Sequence, residues 1–359
     1  MGLAKNTAFF GAFLVVFDNS LLTQSKFLLM DIFLIFFGFL SIYLFLKYKK
    51  LNQRNDDRSY ILLAFSLIFA TFAFSVKWTG LLFLGIISLA ILADFLKKFC
   101  RYARSRETGK FKTAFLKILM LIFIPLLTYY SVILLHLGIL YKSGTGNAFM
   151  SSAFQKTLSG NNIGENVTPS SDIEKFIELN KTIYASQATT TGTHPDASKW
   201  YQWPLDKKPV WYWSKSDSQK SANIYFVGNP LIWVLILFGA LFSFYALLNQ
   251  KLRKKMPPFF GFLVLGYFAN IISYTLIGRI TFLYHYLPSL IFGILILCCL
   301  QEKIFSPAFK IAGKTRELIY WGFLALIVIA FFLLLPLSYG FPVSVRAGQI
   351  YNSFIKFLH

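Results

Sequence analysis

Charge, cysteine and histidine are all scarce in this sequence. Of the 359 residues, 14% are charged, three are cysteines and four are histidines, whereas a soluble domain carries about 25% charged residues. None of the cysteines (Cys100, Cys298 and Cys299) lies in the long polar segment 142–224, so the sequence predicts neither a disulfide framework nor a metal site. The chain is instead 56% hydrophobic, which predicts a polytopic membrane protein.

Acidic residues are few as well, with 15 Asp and Glu against 36 Lys and Arg and a net charge of +21. A nucleic-acid-binding protein would place its basic residues on one face of a soluble domain. The sequence shows no such domain, so we expect no nucleic acid partner. The basic residues gather between apolar runs, as is typical of cytoplasmic loops, in the segments 47–58, 97–117, 251–255 and 303–316.

Nine apolar runs approach the roughly 20 residues that a membrane-spanning helix needs. They cover residues 8–24, 27–47, 60–76, 79–96, 113–141, 225–249, 258–277, 282–300 and 318–338. The expected fold is therefore an all-α polytopic bundle of about nine transmembrane helices with one sizeable extracytoplasmic loop.

Three regions follow from this count. We expect transmembrane helices over 1–141, the loop over 142–224, and four further spans with a tail over 225–359. If each span crosses once, the basic segments fall on one side, which the positive-inside bias makes cytoplasmic. The chain is then a multi-pass protein of the cell membrane, with its long loop and its tail on the extracytoplasmic side.

Each short connection on the expected outer side carries one cation, namely Lys26, Lys77 or Arg279. A single cation at a helix end is commonly an interfacial anchor that reaches towards water. Three cations from separate hairpins at one depth indicate a shared anion, and the phosphate of a lipid lies at that depth. Both interpretations stay open, and the second predicts a lipid-phosphate site.

Aromatic residues flank these connections, among them Trp78, Tyr284 and His285. They form either an interfacial aromatic belt or a platform for a sugar or headgroup, and their position alone does not separate the two. The histidine is either a proton shuttle or, more commonly for such a position, an interfacial histidine whose ring is satisfied by its neighbours.

Carboxylates are the residues expected to act as the base in glycosyl chemistry, and here they offer no clear candidate. Asp31 lies just inside a span, five residues after Lys26, and Asp18 lies about two turns before it. A pairing of either carboxylate with Lys26 would be structural. The acids of the loop 142–224 show no paired spacing, so the residues alone indicate a lipid-phosphate site without a catalytic base.

Six blocks of the sequence resemble motifs of the protein O-mannosyltransferase family. The first three are LVVFDNSLLTQSKFLLMDIFLIFF, SVKWTG and HLGILYKSGTGNAFMSSAFQKTL. The others are WPLDKKPVWYW, GNPLIWV and RITFLYHYLPSLIFG. They run in the family's order from about residue 10 to residue 300.

The resemblance implies a GT-C type membrane glycosyltransferase. Such an enzyme transfers mannose from dolichyl- or polyprenyl-phosphate-mannose to Ser or Thr of exported proteins. It needs no cofactor and no divalent metal, and its partners include the surrounding membrane lipids. The donor phosphate would lie at the three cations named above. The vicinity of the sugar or the acceptor would contain the residues that flank them, which are Trp78, Tyr284, His285 and Asp31.

Some features depart from the family pattern. Lys26 stands where the family has arginine, which keeps the charge but loses a bidentate fork, and Asn147 stands where Asp is usual. The loop 142–224 is too short for the β-trefoil insert of the eukaryotic enzymes, which indicates a bacterial-type member. The family's catalytic aspartate belongs to an acidic loop between two N-terminal helices, and we expect that loop to be absent from this chain, leaving the isolated chain without its base.

Two alternatives stay open. A related GT-C transferase would use another sugar or acceptor, as aminoarabinose and arabinose transferases do, but those lack blocks like FMSSAFQ and YHYLP. A non-catalytic lipid-binding or transport protein would show broken helices or ionisable groups at mid-membrane, for which Asp18 and Asn270 are modest candidates.

Overall fold

The computed structural model describes residues 3–54, 56–105, 108–189, 192–305 and 313–359. They form two compact units: unit 1 comprises Met1–Phe39 and Thr193–His359, and unit 2 comprises Leu40–Gly192. The boundary falls inside the predicted loop region 142–224, so that the first part of this region belongs to unit 2 and the rest to unit 1.

Helices dominate both units. In chain order they are α1 (Lys5–Val16), α2 (Asn19–Lys26), α3 (Met30–Asn52), α4 (Arg58–Val76), α5 (Leu81–Ser105), α6 (Thr108–Ile139), α7 (Ser152–Gln155), α8 (Asp172–Thr189), α9 (Pro230–Leu248), α10 (Gln250–Arg253), α11 (Phe260–Ser273), α12 (Leu287–Leu300), α13 (Gly313–Tyr339) and α14 (Val345–Leu358). Short 3-10 helices lie at Trp78–Gly80, Thr145–Phe149, Trp203–Leu205, Tyr274–Leu276 and Leu283–Tyr286, and Gln301–Phe305 forms a π-helical turn.

Unit 1 also contains a small antiparallel sheet. Its strands are β1 (Val210–Ser216), β2 (Lys220–Phe226) and β3 (Val343–Ser344), in that spatial order. The register between β1 and β2 shifts between Trp211 and Trp213. A bulge of this kind redirects the side chain that it contains, which here is Tyr212.

Within the described residues, seven helical stretches are long and apolar enough to cross a membrane. They are Met30–Asn52, Arg58–Val76, Trp78–Ala103, Phe111–Ile139, Pro230–Leu248, Leu283–Ile304 and Glu317–Tyr339. The expected all-α polytopic membrane fold is confirmed. The predicted count of nine spans is not, because the apolar runs 8–24 and 258–277 form shorter helices, Lys5–Val16 and Phe260–Leu276.

The run 8–24 is divided by the buried carboxylate of Asp18. Helix α1 ends at Val16, and Asp18 caps the start of α2, where its Oδ1 accepts hydrogen bonds from the Leu21 amide at 3.0 Å and from the Ser20 hydroxyl. An N-cap residue adopts a non-helical backbone while its side chain satisfies the first amides of the next helix. One polar residue therefore converts a predicted span into two helices.

The other oxygen of Asp18 joins this turn to helix α9. Oδ2 accepts from the Asn229 amide at 3.2 Å and from Trp233 Nε1 at 2.9 Å. The side chain of Asn229 donates in turn to the carbonyls of Phe17 and Ile327, both at 3.0 Å. Because these groups are buried, each bond satisfies a polar atom that water does not reach, and together they tie the α1–α2 turn to α9 and α13.

Helix α12 is the centre of unit 1. In the apolar 18-residue window of Leu283–Ile304, 83% is buried inside the protein, the highest share among the seven candidate spans. Helices α1, α9 and α11 pack against it. A span that is enclosed in this way has little surface left for lipid, so its neighbours provide the lipid-facing surface of unit 1.

In unit 2, α4, α5 and α6 pack against one another, and α8 packs against the C-terminal part of α6. The hydroxyl of Tyr129 donates to Asn180 Oδ1 at 2.6 Å, and Phe176 contacts the ring of Tyr130 with 5.2 Å between centroids. Helix α8 of the long polar region is thus fixed to a candidate membrane span.

We expect Asp18→Ala to lower the free energy of unfolding by roughly 2–5 kcal/mol, since buried donors that lose their acceptor cost about 1–3 kcal/mol each. The measurement is the midpoint temperature at which the buried thiols of Cys298 and Cys299 become labelled by a maleimide dye. It is made in a Cys100→Ser background. The matched control is Asp57→Ala, because Asp57 is exposed and makes no side-chain cap bond. Equal midpoints for both variants would contradict the structural role of Asp18.

Candidate functional site

Lys26 ends helix α2 and contacts the end of helix α13. Its Nζ donates to the Ser338 carbonyl at 3.1 Å and lies 3.7 Å from the centroid of the Tyr339 ring. The last carbonyls of a helix carry partial negative charge, which a cation stabilises. Partial burial lowers the pKa of Lys26 from its ordinary value, and a bound anion would act in the opposite direction.

Two residues that sequence reasoning missed connect α2 with β1 and α3. Gln24, only 1% exposed, accepts from the Tyr212 hydroxyl at 2.7 Å and donates through Nε2 to Asp31 Oδ2 at 3.0 Å. Burial is the main cause that raises the pKa of Tyr212, followed by the proximity of Tyr284 and Asp31. The phenol therefore stays neutral and remains a hydrogen-bond donor at physiological pH.

Tyr284 and Arg279 lie close to this hydrogen-bonded group. Tyr284 interacts electrostatically with both Asp31 and Arg279, and its ring stacks on Phe282 with 5.4 Å between centroids. Unit 1 thus brings together three of its predicted site residues, Asp31, Tyr284 and Arg279. We refer to Gln24, Asp31, Tyr212, Tyr284 and Arg279 as the polar cluster.

His285 is packed within the protein. It is 5% exposed, its Nδ1 lies 2.9 Å from the Phe282 carbonyl, and its ring stacks on Trp203 with an interplanar angle of 18°. Tyr274 contacts the same ring from another side, with 5.1 Å between centroids. These contacts favour the satisfied histidine over the proton shuttle, and the proximity of His285 to a sugar or acceptor stays a prediction.

In unit 2, Lys77 and Trp78 form the turn between α4 and α5. Lys77 is extended and half-buried, and its carbonyl accepts from the Gly80 amide at 2.8 Å. A Cβ on Gly80 would lie 2.2 Å from the Ala73 carbonyl oxygen, so only glycine fits this turn. The Trp78 ring lies nearly parallel to that of Tyr184 in α8, with 6.5 Å between centroids.

The predicted site residues are divided between the units. Lys77 and Trp78 belong to unit 2, whereas Lys26, Asp31, Arg279, Tyr284 and His285 belong to unit 1. The convergence of the three cations on one phosphate therefore stays a prediction.

The buried carboxylates have architectural partners. Asp206 accepts from the Gly228 amide at 3.1 and 3.2 Å, and burial raises its pKa well above the ordinary value. A Cβ on Gly228 would lie 2.1 Å from Trp233 Nε1, so the GNP block requires glycine there. Among the described residues, no three His, Cys, Asp or Glu side chains are grouped so as to hold a metal ion.

Two loop acids also bind their own surroundings. Glu178 accepts from the Ser151 amide at 2.5 Å and from its hydroxyl at 2.8 Å, and Asp172 pairs with Lys175 at 2.7 Å. The Asp172–Lys175 pair borders a cavity of about 320 Å³ beside the end of α6, and none of the predicted site residues lines it.

Two family models match this chain. The one described as the C-terminal four TMM region of protein-O-mannosyltransferase covers residues 172–353, and the one described as dolichyl-phosphate-mannose-protein mannosyltransferase covers residues 1–141. The first match alone spans more than half of the chain.

Curated relatives include protein O-mannosyltransferase 1 of Drosophila melanogaster, 32% identical over 143 residues, which are 36% of this chain and 16% of that protein. Dolichyl-phosphate-mannose–protein mannosyltransferase 5 of Candida albicans is 29% identical over 189 residues, which are 47% of this chain and 26% of that protein. The matched segments thus span about a quarter or less of these two relatives.

The fold is similar to that in a solved structure of the Saccharomyces cerevisiae protein O-mannosyltransferase Pmt1-Pmt2 complex bound to the sugar donor. The TM-score is 0.80 at 18% identity, and the match covers 94% of this chain and 75% of the other. With both family models in agreement, the chain belongs to the protein O-mannosyltransferase family.

Proposed function

We propose that this chain binds the lipid-linked sugar donor of a membrane mannosyltransferase. The reaction would transfer mannose from dolichyl- or polyprenyl-phosphate-mannose to Ser or Thr hydroxyls of exported proteins. Family membership supports this proposal, and the polar cluster of unit 1, with Lys26 beside it on α2, carries it. The cluster provides a cation, a carboxylate and neutral donors in one place.

The cations suit the charge that the reaction would develop. Transfer breaks the bond between the anomeric carbon and the phosphate oxygen, and the electron pair stays on that oxygen. The phosphodiester, with one negative charge, becomes a phosphomonoester with two, while the acceptor hydroxyl forms the new bond and releases its proton. A cation at the phosphate therefore stabilises the transition state more than the bound donor, which is what accelerates a reaction.

The rest of the cluster suits the sugar. The carboxylate of Asp31 accepts hydrogen bonds, and the Tyr212 phenol, which donates its one hydrogen to Gln24, still has an oxygen that accepts. Gln24 fixes the positions of both through its two bonds. The stacked rings of Phe282 and Tyr284 offer an apolar face beside these groups. We therefore assign Gln24 and Tyr212 as positioning residues of the sugar site.

The orientation in the membrane is part of the proposal. The basic segments 47–58, 97–117, 251–255 and 303–316 would lie in the cytoplasm, and the region 142–224 outside it. Acceptor proteins and donor would then meet on the extracytoplasmic side, where Lys26, Lys77 and Arg279 lie at turns or helix ends.

We expect Arg279→Ala and Lys77→Ala to weaken binding of polyprenyl-phosphate-mannose roughly 30-fold or more, because truncating one partner of a buried charge pair costs about 2–5 kcal/mol. The dissociation constant would be measured in detergent micelles by competition against a photoreactive polyprenyl phosphate. Lys199→Ala, at an exposed lysine, is the control. Unchanged binding in both variants would remove the phosphate site from the proposal.

Tyr212→Phe is expected to weaken binding of the sugar part of the donor and not of its phosphate. Losing the bond to the buried Gln24 oxygen costs about 1 kcal/mol, so binding of the mannose donor should weaken roughly fivefold. Binding of polyprenyl phosphate without a sugar should not change, whereas Arg279→Ala should weaken both. Tyr201→Phe, at an exposed tyrosine, is the control. Equal losses for both ligands would contradict a sugar-positioning role.

The alternatives give different results when lipid donors with different sugars compete for binding in the same micelles. A transferase of another sugar would bind that sugar's lipid donor more tightly than the mannose donor. A lipid-binding or transport protein would bind the donor without losing binding in Tyr212→Phe.

The orientation is tested with cysteines introduced into a Cys100→Ser background. A membrane-impermeant maleimide should label Lys215→Cys, in the exposed part of β1, in intact cells. It should label Lys254→Cys, in the basic segment 251–255, only after the membrane is permeabilised. The reverse pattern would invert the proposed topology.

A further inference from the structure

Helix α14, Val345–Leu358, follows the last candidate span after a short connection and has two unlike sides. One side is buried through Gly348, Ile355 and Leu358. On the other side Ile350 and Phe357 are 66% and 75% exposed. These two residues are seven positions apart, and so they lie one above the other on the same face of the helix.

Contacts with α13 fix the depth of this helix. The Tyr351 hydroxyl donates to the Leu333 carbonyl at 2.7 Å, and Leu333 lies six residues before the end of α13. At 1.5 Å per residue this is about 9 Å inside the end of the span. Ile355 and Leu358 pack with Leu334 and Leu337 in one apolar cluster. Helix α14 therefore lies beside the last turns of a membrane span and not in the water beyond it.

The surface of α13 at this level is apolar. Ile329, Phe332 and Leu333 are each more than half exposed, as expected of a surface that faces acyl chains. Ile350 adjoins Tyr351, whose hydroxyl reaches the Leu333 carbonyl. Helix α14 thus lies at the same depth as this apolar surface of the span.

Helix α14 suits the membrane surface and not a crossing. Its 14 residues extend about 21 Å, which is less than the roughly 30 Å of a hydrocarbon core. Its exposed positions also include Arg346, Gln349, Asn352 and Lys356. Cations on such a helix reach towards lipid phosphates while the apolar side chains enter the acyl boundary.

We propose that α14 lies in the plane of the membrane interface, with Ile350 and Phe357 inserted into the bilayer. Its partner is the lipid surface and not another protein chain. This inference is independent of the proposed activity.

Helix α14 also contacts the residues before β1 and strand β2, so its position in the membrane would affect the small sheet. Its C-terminal carbonyls accept from the Lys208 amide at 3.0 Å and from Lys207 Nζ at 2.8 Å, through Leu358 and Phe357. Gly348 packs against Ser221 of β2. Lipid contact at α14 therefore restrains the sheet that carries Tyr212.

The test uses single cysteines in a Cys100→Ser background, reconstituted in liposomes and labelled with a nitroxide. The test variants are Ile350→Cys and Phe357→Cys. The matched controls are Gln349→Cys and Asn352→Cys, at exposed polar positions. The measured quantity is how often the nitroxide collides with oxygen, which concentrates in lipid, and with a water-soluble nickel chelate. We expect a higher ratio of oxygen to nickel accessibility at 350 and 357 than at 349 and 352.

Two results would overturn the proposal. Equally low ratios of oxygen to nickel accessibility at all four positions would place the whole exposed side in water. Low accessibility of 350 and 357 to both reagents would mean that protein, and not lipid, covers them. Quenching of a bimane dye on the same cysteines by brominated lipids gives a second measurement, and it should be stronger at 350 and 357 than at the controls.

Discussion

The architecture of unit 1 depends on the hydrogen bonds that converge on the Asp18 carboxylate. Two donors come from the start of α2 and two from the start of α9, far along the chain. A buried carboxylate is tolerated only where such donors compensate for the water it has lost. Because the carboxylate lies between the end of α1 and the start of α2, it fixes the helix that carries Gln24 of the polar cluster and Lys26 beside it.

Several sequence motifs of this family prove to be parts that bind one another. The aspartate of the FDN block binds the GNP block, and the aspartate of the WPLD block binds the same glycine-containing turn through Gly228. Much of the motif pattern therefore encodes architecture, and the groups suited to donor chemistry are a smaller set around it. Asp18 and Asp206 are accordingly poor candidates for a catalytic base, since their oxygens are already engaged.

The sequence predicted the long helices well, because an apolar run of some 20 residues has few alternatives to a membrane span. It did not predict the break at Asp18, since one polar residue changes the average hydropathy of a run very little. Gln24 and Tyr212 were also missed as a pair, because they lie 188 residues apart and meet only after the bundle forms. The residues after the last apolar run, 318–338, were predicted as a tail, whereas Val345–Leu358 form a helix that packs against α13.

The third strand has a consequence for how the protein is made. Lys220 and Ser221 of β2 pair with Ser344 and Val343, which the ribosome adds only after the last candidate span has been synthesised. A two-stranded hairpin alone is marginally stable in water. The sheet that carries Tyr212 is therefore completed only once α13 has been synthesised, so the order of translation leaves this part of unit 1 unfinished until the membrane part of the chain has been made.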